Sequence, residues 1–168
     1  MIRFLVLLLI LVVAVVIQTT LADLASVGPA RPDVVIALAV YLALAFELRE
    51  VFVPIWALGI LRDAFSAAPV GMHGLIFLGL GLLVGGIRHY VPRDNSVGIM
   101  FVAAAAVVLC ETVAIGVLAI RYDVRVGRDM LLTVLLNAAY TAALSAVLPR
   151  FLNRPCRWVG MGRAEREF

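Results

Sequence analysis

The chain has 168 residues, 64% of them hydrophobic, with a mean hydropathy of +1.10. Soluble domains are about 45–50% apolar, so the composition marks an integral membrane protein with room for one compact bundle and no separate soluble domain. Only 15% of residues are charged, all 14 basic residues are Arg, and a net charge of +3 scattered along the chain gives no face for nucleic acid.

Six apolar segments follow in chain order, at residues 4–22, 34–48, 51–68, 72–87, 97–120 and 130–148. The first is longer than the 7–15 residues of a signal-peptide core and spans roughly 27 Å, close to a bilayer core, so it reads as a retained helix. Gly28-Pro29-Ala30-Arg31-Pro32-Asp33 is a turn, and Asp33 can N-cap the second helix. The second segment is short, so its ends are expected at the interface with Arg49 snorkelling. Pro69-Val70-Gly71 separates the third and fourth segments. The third carries Arg62 and Asp63 and is the weakest of the six as a span. Pro149 is expected to end the last helix. The chain then divides into a transmembrane bundle, 1–149, and a short Arg-rich cytoplasmic tail, 150–168.

Arg distribution sets the orientation. Arg3, Arg49, Arg88, Arg93 and the five Arg of the tail fall on one side, against Arg31, Arg62, Arg121, Arg125 and Arg128 on the other. That bias places both termini in the cytoplasm. Arg150, Arg154, Arg157 and Trp158 read as an inner-leaflet anchor, with a partner-docking tail as the alternative. The two cysteines, Cys110 and Cys156, match neither a metal spacing nor an expected disulfide.

Four polar side chains interrupt the apolar runs at one depth. Counting from the inner surface, Asp63 lies about 18 Å up, Glu111 about 21 Å, Asn137 near 20 Å and Gln18 about 22 Å. Such residues face a bundle interior and pair with one another. A Glu111–Asn137 hydrogen bond is easy across the hairpin of the last two helices. The layer serves either as glue between helices, as a ligand or proton site, or as a groove for a partner. Arg62 is expected to snorkel outward while Asp63 faces inward. His73 reads as a solvated or capping residue near the outer surface. Gly59, Gly71, Gly81 and Gly85 read as packing glycines, with Gly81 and Gly85 forming GxxxG. Small-residue faces on the fourth and fifth helices would admit another helix. No Ser-His-Asp set, phosphate-cradling loop or metal cluster stands in the sequence, so neither an enzyme nor a cofactor is expected.

These residues resemble a known family. Pro32-Asp33, the string Gly-x-x-x-Asp-x-x-Ser-x-x-Pro-x-Gly from Gly59 to Gly71, Glu111, and Asn137 followed by Pro149 are similar to the rod shape-determining membrane protein MreD. Arg62 and His73 stand where uncharged residues are expected. The resemblance implies an all-α polytopic fold, a six-helix bundle similar to the substrate-binding subunits of energy-coupling-factor transporters, in the bacterial inner membrane. It implies a non-catalytic scaffold of the wall-elongation complex that binds a bitopic MreC-like partner. Through that partner it meets an MreB-like cytoskeleton and a SEDS glycosyltransferase with its class B penicillin-binding protein. The rival reading is a vitamin-capture subunit, against which the short, aromatic-poor outer loops argue.

Overall fold

The computed structural model of the chain describes the backbone of residues 2–24, 31–65, 69–91, 95–122 and 127–158, and the side chains of 9–20, 31–65, 69–91, 95–122 and 127–152. The described residues form six helices and no strand: α1 (Ile2–Leu24), α2 (Val34–Ala45), α3 (Leu48–Ala64), α4 (Met72–Ile87), α5 (Ser96–Tyr122) and α6 (Arg128–Trp158). Helices are the expected solution for apolar segments of this length, because each satisfies its own backbone groups without water. Ser96–Tyr122 and Arg128–Leu152 are long and apolar enough to cross a membrane.

The bundle is organised around α2. Its sequence, Val-Val-Ile-Ala-Leu-Ala-Val-Tyr-Leu-Ala-Leu-Ala, has no polar stripe, and a helix that is apolar all round belongs inside. Every residue from Val35 to Ala45 is buried. α2 packs against α1, α3, α4, α5 and α6, while α3 with α4 and α5 with α6 form the two tightest pairs. Its 12 residues span about 18 Å, short of a hydrocarbon core of about 30 Å. Large apolar side chains such as Leu9, Val16, Val53, Leu83, Phe101 and Leu136 are exposed on the surrounding helices.

Three expectations need correction here. The second helix ends at Ala45, because Phe46 turns extended (φ −125°, ψ 165°) and Leu48 already opens α3. Its ends do not rely on Arg49, which sits exposed in the first turn of α3. Arg88 closes the C-terminal end instead: its Nη1 donates to the Phe46 carbonyl at 3.1 Å, placing a cation at the negative end of the helix dipole. The last helix does not stop at Pro149 but runs on to Trp158. Pro149 lacks an N–H, so the Ser145 carbonyl loses its helical donor. The Ser145 hydroxyl donates back to the Ala142 carbonyl (2.7 Å) in the turn before.

The glycines explain how α3 and α4 approach. A Cβ on Gly59 would lie 2.5 Å from the His73 carbonyl oxygen and 2.6 Å from Gly74 Cα, so only glycine lets the two backbones meet there. Gly81 and Gly85 receive the side chains of Ile55 and Leu48 from α3. On α5, Ala103 and Ala106 are buried in the core. The small-residue faces expected to admit another helix are therefore largely filled from within the bundle. Gly79 and Gly86, with nothing near their Cβ positions, remain open on α4.

Candidate functional site

A buried helix start is a problem of unmatched donors, since the first turn has N–H groups with no helical acceptor. The chain solves it at α2 with its own Asp33 and with side chains from two other helices, α1 and α6. Asp33 caps its own helix, Oδ1 accepting from the Ile36 N–H at 2.8 Å. Gln18 of α1 bridges the entry, its Oε1 accepting from the Val34 N–H (2.7 Å) and its Nε2 donating to the Pro32 carbonyl (3.1 Å). Thr141 Oγ1 of α6 accepts from the Asp33 N–H (2.9 Å), and Asn137 Oδ1, one turn away, accepts from the Arg31 N–H (2.8 Å). Asn137 Nδ2 donates to Glu111 Oε1 of α5 at 3.1 Å.

The second oxygen of Asp33 takes a charge. Arg62 Nη1 of α3 donates to Asp33 Oδ2. The guanidinium also lies over the Phe77 ring, 5.8 Å from its centroid. Arg62 therefore points into the bundle rather than snorkelling outward, because an ionised partner waits there. Asp33 is 5% exposed, so the pair ties α3 to the start of α2 through a buried carboxylate.

Asp63, the next residue, serves a different helix. Its Oδ2 accepts from the Gly71 N–H (2.7 Å), and its Oδ1 accepts from the His73 N–H (3.1 Å) and meets His73 Nδ1 at 2.7 Å. Gly71 is the N-cap of α4 and has no side chain to cap with; its φ of +93° favours glycine. Asp63 supplies the missing cap from α3. His73 is buried against it rather than solvated. The Gly59–Gly71 string thus reads as one device: Gly59 allows contact, Asp63 caps, and Gly71 turns the chain.

Of the expected polar layer, Gln18, Glu111 and Asn137 meet at the α2 entrance and Asp63 stands in its own cluster with His73. Asp63 is buried, while Gln18, Glu111 and Asn137 are half-buried. Sequence reasoning missed Thr141, the inward turn of Arg62, and the charge on Asp33 as its partner. Thr141 sits one turn after Asn137 on the same face, and an Arg within an apolar run needs a counter-ion; both signals were readable. Arg150 is exposed near the end of α6, and the side chains of Arg154, Arg157 and Trp158 lie outside the described residues.

Every buried polar side-chain atom among the described residues has a hydrogen-bond partner. No group of His, Cys, Asp and Glu among them is placed to hold a metal ion. Cys110 is a buried thiol. The arrangement fixes helices in place, with its donors and acceptors turned on one another.

The sequence profile described as rod shape-determining protein MreD matches residues 1–156, nearly the whole chain. The chain belongs to the MreD family. It is accordingly a rod shape-determining membrane protein. No curated protein and no solved structure matches the chain significantly, so no solved structure ties this MreD bundle to the energy-coupling-factor subunits.

Proposed function

We propose that the chain is a non-catalytic scaffold of the bacterial wall-elongation complex, held in the cytoplasmic membrane by six spans with both termini inside. It binds the transmembrane or juxtamembrane segment of a bitopic MreC-like protein. Through that contact it keeps the MreB-like cytoskeleton near the SEDS glycosyltransferase and its class B penicillin-binding protein. The likeness to energy-coupling-factor subunits is part of this proposal and rests on the family resemblance.

One observation carries the reading. The intramembrane polar groups point at the ends of α2 and α4 and bond to one another there. A capture subunit needs polar groups converging on a ligand-sized cavity with bonds left to give. Here they act as caps, and the core of α2 is filled on all sides. What remains for recognition is the outward surface of α1 and α3–α6. Purification in mild detergent tests the proposal. A single-span wall-complex protein should be retained. Recovery of a vitamin-sized molecule with an ATPase module, and no such partner, would overturn it.

A further inference from the structure

The helices around α2 fall into two length classes. α1, α5 and α6 have 23, 27 and 31 residues, or about 34 Å and more along their axes. α3 and α4 have 17 and 16 residues, about 25 and 24 Å. A hydrocarbon core is about 30 Å thick, so the α3–α4 side falls short of it. Tilt does not close the gap, because tilting a helix shortens its reach across the bilayer. The pair is also pinned at both ends and gains no height by sliding. At one end Arg88, just past α4, donates to the Phe46 carbonyl just before α3. At the other, Asp63 of α3 accepts from the Gly71 and His73 N–H groups that open α4. The outward wall of the pair is apolar through Phe52, Val53, Leu75, Leu82 and Leu83. Exposed Arg49, Glu50, His89 and Tyr90 close it at one end. With exposed Phe65 at the far tip included, the wall beyond Arg49 is about 25 Å tall. On α5 the exposed apolar residues run from Val97 to Ile120, about 35 Å.

We propose that α3 and α4 draw the bilayer beside them down to about 25 Å, so that this side of the molecule selects short-chain phospholipid while the α5 side does not. The occupant of the wall is the acyl chain of a phospholipid. A short apolar wall with a charged rim holds headgroups closer together than the bulk bilayer does, and chains of matching length cover it without exposing hydrocarbon to water. The two sides of one bundle then ask for different thicknesses, and tilting the whole chain satisfies one only at the expense of the other. It requires α3 and α4 to cross the membrane, as in the six-span reading above.

Dibrominated lipids quench a nearby indole, so lipid preference is readable at each side of the reconstituted chain. Trp158→Phe leaves Trp56 of α3 as the reporter. Adding Trp56→Phe and Leu109→Trp moves the reporter to α5; Trp56 and Leu109 are 44% and 43% exposed. Dimyristoleoyl, dioleoyl and dierucoyl phosphatidylcholines are compared in vesicles. Trp56 should favour dimyristoleoyl over dioleoyl lipid about 2-fold, and the α5 reporter should favour dioleoyl over dimyristoleoyl. The same preference at both sides would overturn the proposal, and so, on its own, would a Trp56 that favours dioleoyl or dierucoyl lipid or is quenched by none. Val70→Cys and Tyr90→Cys, each made with Cys156→Ser, test the crossing itself. Residues 70 and 90 are highly exposed and should react with an impermeant thiol reagent from opposite sides of the membrane. Reaction from one side only would remove the six-span reading and the proposal with it. Reaction from opposite sides with a uniform lipid preference would overturn the proposal alone.

Discussion

Removing the Arg62 guanidinium should damage the bundle more than removing the charge of its partner. In Arg62→Met, Asp33 keeps its N-cap bond to Ile36 but is left as a buried, uncompensated carboxylate at 5% exposure. Breaking a buried pair in this way costs about 3–5 kcal/mol. The Arg62 side chain is 25% exposed, so some solvent screening applies and a loss near 3 kcal/mol, the lower end, is expected. Asp33→Asn should cost less. The amide oxygen still accepts from Ile36, and the unpaired Arg62 is long enough to reach toward the interface. The double variant, Asp33→Asn with Arg62→Met, should recover much of the loss seen in Arg62→Met. Thermal unfolding of the detergent-solubilised chain reads this out. For a chain of this size 1 kcal/mol shifts Tm by about 2–4 °C, so Arg62→Met should lower it by roughly 6–12 °C. If the two single losses simply add in the double variant, the residues are not coupled and the ion pair does not hold α3 to α2.

The other predictions use the same assay. Gly59→Ala should destabilise by about 1–3 kcal/mol, because its Cβ would strike the α4 backbone. Gly79→Ala, in open space on the same bundle, should stabilise by up to about 1 kcal/mol through helix propensity. Equal effects at the two sites would contradict the α3–α4 crossing. Asp63→Ala uncaps α4 from a distance and should cost at least as much as losing an ordinary helix cap, about 0.5–2 kcal/mol; a neutral result would refute the capping role. Thr141→Val strips the acceptor from the Asp33 N–H and should cost about 1–3 kcal/mol. For topology, Cys156 should resist an impermeant thiol reagent in intact cells and react after permeabilisation; labelling of intact cells would reverse the orientation.

The all-helical architecture was legible because long apolar runs punctuated by Pro, Gly and Arg leave few other solutions. Asp33 as an N-cap was legible for the same local reason. The central position of α2 was signalled by its missing polar stripe, yet its shortness suggested snorkelling ends instead. Length alone cannot tell a helix that ends at an interface from one that ends inside protein. Arg62 was misplaced because its partner lies 29 residues earlier on another helix, and depth counting along single helices does not pair faces. The run past Pro149 was hidden because a proline only weakens a helix, and the hydroxyl of Ser145 shares the disturbed turn. Of the glycines expected to pack, Gly59, Gly81 and Gly85 do, but Gly71 does not: nothing lies near its Cβ position, and its positive φ serves the turn into α4 instead. Which side they pack on depends on the Ile55 and Leu48 side chains of α3, which no periodicity reveals.

The measurement that bears most directly on the scaffold claim is quantitative co-purification of the tagged chain from native membranes in mild detergent, with every retained protein and small molecule identified by mass. The account predicts a single-span wall-elongation partner held in fixed ratio to the chain. Retention of a bound vitamin-sized molecule together with an ATPase module, and no single-span partner, would contradict it.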